Sequence, residues 1–100
     1  MVINVLNHVP FCFSTEQGDT IRALVEEKLA YNEFVTVSFS GVSEVTSSFI
    51  NSAFVALLNS YNIKFIKSHI RFVSVSKQVS DMLRRCFDNA QKEHLPPVVA

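Results

Sequence analysis

Residues 34–40, Phe-Val-Thr-Val-Ser-Phe-Ser, alternate between two faces, and a helix-period pattern stands on either side of them. That juxtaposition constrains the fold more than anything else in the chain. A strand flanked on both sides by amphipathic helices joins its sheet through crossovers, and crossovers connect parallel strands. Val35, Val37 and Phe39 share one face, while Thr36, Ser38 and Ser40 take the other. β-Branched and aromatic residues fit such a strand, and Gly41 ends it.

The flanks repeat the theme. Val2-Ile-Asn-Val-Leu6 reads as a short strand stopped by Pro10, which has no amide hydrogen for a ladder. Ser14-Thr15-Glu16-Gln17 has capping-box spacing, with Gln three positions after Ser. Ile21, Leu24, Val25 and Leu29 then recur at helical intervals, with Arg22, Glu26 and Glu27 outward. Gly18 in the first turn costs a helix about 1 kcal/mol relative to Ala, so the start can slip to Asp19. After Gly41, Phe49, Ile50, Ala53, Phe54, Leu57 and Leu58 mark one helix face, widened by Val55 and Ala56. This helix should be the most buried. His69–Val75 forms another strand, and Ser76 caps a last helix with an inner stripe of Val79, Met82, Leu83, Cys86, Phe87 and Ala90. Two further pieces are short: Phe11 and Phe13 as an extended segment, and Ile63–Ile66 as either a strand or a helical turn.

The order is therefore β–α–β–α–β–α. It implies an α/β fold, with a mixed or mostly parallel sheet of about four strands and helices packed on it. One domain over residues 1–95 accounts for the length, and Pro96-Pro97 opens a disordered tail over 96–100.

Composition narrows the function. Nine Lys and Arg balance nine Asp and Glu, which argues against a protein that holds nucleic acid by bulk charge. The balance hides a division. Residues 1–50 carry two basic and six acidic side chains, and residues 51–100 carry seven basic and three acidic ones. The aromatic residues Phe39, Phe49, Phe54, Phe72 and Phe87 fall on inner faces, so they read as core rather than as a base-stacking surface. No apolar run reaches about 18 residues and the first residues lack a basic stretch, so neither a membrane span nor a signal peptide is expected. Two cysteines make no disulfide framework and suit a reducing, cytoplasmic setting. Two glycines leave no Gly-rich phosphate loop. His8, His69 and His94 are scattered, and no cofactor, metal site or enzyme active site is expected from them with Cys12 or Cys86.

One segment stands apart: Ser38-Phe39-Ser40-Gly41-Val42-Ser43-Glu44-Val45-Thr46-Ser47-Ser48-Phe49. A strand ends, a short loop follows, and three hydroxyl residues open a helix. By capping chemistry, Thr46 or Ser47 is an N-cap worth about 0.5–2 kcal/mol. The segment also resembles STAS domains, the fold of bacterial anti-sigma factor antagonists, whose loop carries an apolar residue and then Asp-Ser-Ser/Thr-Gly. Val45 matches the apolar position, Thr46 stands at the Asp position, Ser47 at the phospho-acceptor position, Ser48 at the second hydroxyl and Phe49 at the Gly. It is closer still to an uncharacterised bacterial STAS-like family with Gly-Val, a Thr/Ser-Ser-Ser-Phe turn and an Ala-rich helix. Gly41-Val42 and Thr46-Ser47-Ser48-Phe49 carry that likeness, supported by Ser14 with Gly18 and by Phe72-Val73-Ser74-Val75.

The resemblance, covering about residues 11–90, implies a non-catalytic regulatory domain that binds a protein partner through residues 42–52. It makes Thr46, Ser47 and Ser48 the binding or phospho-acceptor candidates, and a histidine-kinase-like serine kinase ATPase the expected partner. A phosphate there would add nearly two negative charges to a docking face while the helix start tolerates it. The rival reading is a self-assembling structural or accessory protein, a homodimer pairing through an apolar edge at Ile63–Ile70.

Overall fold

The computed structural model describes residues 2–94. Strands β1 (Val2–Asn4), β2 (Val35–Ser38) and β3 (Ile70–Val73) form one parallel sheet in that order. Helix α1 (Thr15–Ala30) follows β1, α2 (Ser47–Ala53) and α3 (Ile63–His69) both lie between β2 and β3, and α4 (Lys77–His94) follows β3. This is the expected α/β alternation. Two right-handed crossovers that step the same way across a sheet put their helices on one face. Accordingly α1 packs closely on α2, and α4 packs on α2 in turn.

The register fixes which side chains face those helices. Ile3, Val37 and Phe72 stand in one row across the sheet, and Val35 stands beside Ile70. Four of these are buried and Phe72 half-buried. On the other face Val2, Thr36 and Arg71 align, and Val2 and Arg71 are exposed. The core lies between the sheet and the helices. Phe39, Phe49 and Phe54 are fully buried in it, and Phe72 and Phe87 pack against its rim. Those five rings are core, as their spacing predicts.

The sheet has three strands among the described residues, not about four. The Phe11–Phe13 stretch is no strand, because the carbonyls of Cys12 and Phe13 bond Thr46 rather than a ladder. Ile63–Ile66 resolves into helix α3, since the Asn62 side chain accepts from the Phe65 amide (2.8 Å) and starts a helical turn. The apolar edge expected at Ile63–Ile70 is thus mostly helix, and the strand begins only at Ile70. The first strand is also shorter than its pattern, closing after Asn4 into a 3-10 turn at Val5–Asn7. The tail at 96–100 lies outside the described residues.

Helix α1 begins where its box predicts. The Gln17 amide donates to Ser14 Oγ (3.2 Å), and the Ser14 amide donates to Gln17 Oε1 (3.1 Å). The start does not slip to Asp19. Gly18 has a different role: it lets α1 approach α2 closely. A Cβ there would overlap Ser52 Oγ and lie 2.7 Å from the Phe49 carbonyl oxygen. Around this point Ser52 Oγ donates to the Thr15 carbonyl (3.0 Å) and Arg22 Nη1 donates to the Ser52 carbonyl (2.8 Å).

The second helix does not run unbroken to Leu58. At Phe54 the backbone leaves α geometry (φ −126°), and Val55–Asn59 continue as a 3-10 turn. The break lets the Phe54 ring meet Phe39, Phe49 and Phe72 at centroid distances of 6.1, 6.4 and 5.0 Å. Among the described residues no helix is long and apolar enough to cross a membrane.

Candidate functional site

The hydroxyl triplet lies at the end of the loop that leaves β2. Two buried anchors, Val42 and Val45, pin that loop to the core. Gly41 makes the bend, at φ +84°, a backbone conformation that favours glycine. The Val42 amide then donates to the Phe39 carbonyl (2.9 Å).

Helix α4 clamps the loop from one side. Gln78 Nε2 donates to the Val45 carbonyl and Gln78 Oε1 accepts from the Val45 amide, both at 2.9 Å. One side-chain amide thus satisfies both backbone groups of a buried residue. Ser76 Oγ donates to the Ser43 carbonyl (2.9 Å) and accepts from the Val79 amide (3.2 Å), so it caps α4 as expected and ties the loop to it.

The other side is held by the segment before α1. The Thr46 amide donates to the Cys12 carbonyl (3.2 Å). Thr46 Oγ1 donates to the Phe13 carbonyl (2.8 Å) and accepts from the Phe49 amide (3.2 Å). Thr46, not Ser47, is therefore the N-cap, and its hydroxyl is engaged as both donor and acceptor. Ser47 and Ser48 follow in the first turn and are exposed, while Phe49 turns into the core. The three candidates are adjacent in space, yet they divide into one structural hydroxyl and two accessible ones.

Replacing Thr46 by Val keeps the β-branched shape and removes both hydroxyl bonds. The expected loss is about 1–2 kcal/mol of unfolding free energy, read from urea denaturation followed by far-UV circular dichroism. A loss below a few tenths would mean that the cap does not hold this loop.

Sequence reasoning missed the parts that hold the site. Gln78 carries no local signal, because its partner Val45 lies 33 residues away. The closeness of α1 and α2 had a signal in Gly18, whose cost to an isolated helix is only the local part of its effect. A groove of about 470 Å³ between α2 and α4, lined on its polar side by Ser47, Asn51, Arg85 and Asn89, was also missed.

Elsewhere, Ser68, His69 and Asn32 form a hydroxyl–imidazole–amide chain, with Ser68 Oγ to His69 Nδ1 and His69 Nε2 to Asn32 Oδ1 both 2.9 Å. Ser68 Oγ lies 2.9 Å from the Phe65 carbonyl oxygen of its own turn as well as from His69 Nδ1, so its one proton is held by local partners. The chain fastens the end of α3 to the turn after α1, where Asn32 sits at φ +57°. His69 therefore ends a helix rather than opening a strand. Burial pushes the Cys12 thiol up to about 11, and burial likewise raises Cys86, partly offset by the charge of Arg85. Both thiols stay protonated at neutral pH, which suits packing rather than nucleophilic chemistry. Among the described residues no three His, Cys, Asp or Glu side chains gather as metal ligands.

The family model described as a STAS-like domain of unknown function (DUF4325) matches residues 17–80. That span runs from the first turn of α1 through the site loop and α2 to the start of α4. No curated protein and no solved structure matches the chain.

Proposed function

The chain belongs to this STAS-like domain family, and from that membership we propose a non-catalytic module that docks a protein partner through residues 42–52, with Ser47 or Ser48 as the switch. The observation that carries the reading is the division of labour in the triplet. Thr46 holds the loop and the helix start, which leaves two serine hydroxyls exposed on a fixed turn. A modified serine there changes the charge of the face without removing any bond that holds the fold.

The partner is a serine kinase of the histidine-kinase-like ATPase type. The serine oxygen takes the terminal phosphoryl group of ATP, ADP leaves, and the hydroxyl proton passes to a base of the kinase. The product carries close to two negative charges on the docking face, and like charge and desolvation then weaken the complex. Glu44 already lies exposed on this loop and adds to the repulsion.

The test mixes the domain with such an ATPase, ATP and magnesium, and weighs the product. The reading predicts a gain of one phosphate that maps to Ser47 or Ser48 and is absent from the Ser47→Ala, Ser48→Ala double variant. An unchanged mass under conditions where the ATPase is active contradicts the switch. Self-assembly remains the second reading because β3 is an edge strand of the sheet. Light scattering at two concentrations decides it, since a dimer that pairs along β3 grows with concentration and a strict monomer excludes it.

A further inference from the structure

We infer that Arg85 receives the phosphate on Ser47, folding it into the groove between α2 and α4; this rests on the reading above and selects Ser47 over Ser48. Ser47 lines that groove together with Arg85, and Ser48 does not. Cys86 and Ala90, both buried, also line the groove, so the exposed Arg85 projects beside a helix face that is already docked.

Among the described residues the Arg85 guanidinium has no ion-pair partner. Among the described residues the ion pairs are those of Arg22, with Asp19 at 3.2 Å and Glu26 at 3.0 Å. Asp81 and Asp88 share a shallow surface with Arg85, and neither comes within ion-pair distance of it. A planar guanidinium without a carboxylate is well suited to grip two phosphate oxygens at once. Asn51 and Asn89, both exposed beside it, supply amide donors to the remaining oxygens. A phosphate on Ser47 would then close the groove as well as charge the face, so a partner that inserts a side chain there loses its seat. A phosphate on Ser48, off the groove, would have only its charge.

The test places phosphoserine genetically at position 47 or at position 48 and follows the phosphate by phosphorus NMR during a pH titration. Each protein is compared with its Arg85→Gln counterpart, and circular dichroism checks that each is folded. At position 47 the second phosphate ionisation should fall about one unit lower with Arg85 than with Gln, since an opposite charge within contact favours the dianion. At position 48 the substitution should leave the midpoint unchanged. Equal midpoints at position 47 with and without Arg85 overturn the inference, as does a shift of the same size at position 48. No kinase enters the measurement. A kinase that fails to modify the domain therefore sinks the switch without touching this result, and equal midpoints sink the Arg85 contact while leaving the switch standing.

Discussion

Gly18→Ala destabilises the domain by about 2–3 kcal/mol, although the same change in an isolated helix would stabilise it by about 1 kcal/mol. The sign is set by what lies across the interface. The new methyl group would overlap Ser52 Oγ and sit 2.7 Å from the Phe49 carbonyl oxygen. Ser52 cannot swing away freely, because its hydroxyl donates to the Thr15 carbonyl. The Phe49 carbonyl belongs to α2 backbone, so it moves only if α2 moves. Relief therefore requires α1 and α2 to separate, which strains the Arg22 bond to Ser52 as well. Urea denaturation measures the loss. The Gly18→Ala, Ser52→Gly double variant should recover part of it, since it removes one of the two obstacles. A single variant as stable as the parent would mean that the helices do not meet as closely as described. The consequence reaches the proposed docking face, because α2 carries Ser47 and Ser48.

Phe54→Ala costs more, about 3–5 kcal/mol. The ring is fully buried and edge-on to Phe39, Phe49 and Phe72. Its removal takes away apolar burial and three aromatic contacts and leaves a cavity whose walls are stiff rings. A domain of this size has about 5–15 kcal/mol in total, so the variant should lose a large share of its stability and unfold at a clearly lower temperature. Phe54→Leu refills most of the space and should lose only about 1–2 kcal/mol. Thermal unfolding by far-UV circular dichroism separates the two. Similar midpoints for Ala and the parent would contradict the central place given to this ring.

How far the sequence revealed this arrangement depends on the range of the interactions involved. Period-two alternation at 34–40 and helical spacing after Gly41 are local, and both gave the right element. So did the N-caps: Ser14 with Gln17, Thr46 with Phe49 and Ser76 with Val79 are all separated by three residues, and only the first is a reciprocal capping box. Element ends were less legible. Phe54 leaves the helix where its ring meets Phe39 and Phe72, both brought from elsewhere in the chain, and no spacing within α2 records that. Ile63–Ile66 was ambiguous because a short apolar run fits either period, and Asn62 decided it by capping. The site's exposed serines were legible from the family likeness. The clamps were not: Gln78 on Val45 and Phe13 on Thr46 each join residues 33 apart. Gly18 was visible but misread, since a glycine within a helix looks like a local cost until the opposing helix is in place.

In the proposed function Ser47 stands on a fixed, accessible turn whose charge governs docking. A binding titration of the proposed ATPase partner against the parent domain, Ser47→Ala and Ser47→Asp tests it most directly. The account predicts that Ser47→Ala binds within about twofold of the parent, and that Ser47→Asp binds about tenfold more weakly or worse, a difference of about 1.4 kcal/mol. Equal affinity for all three would contradict it.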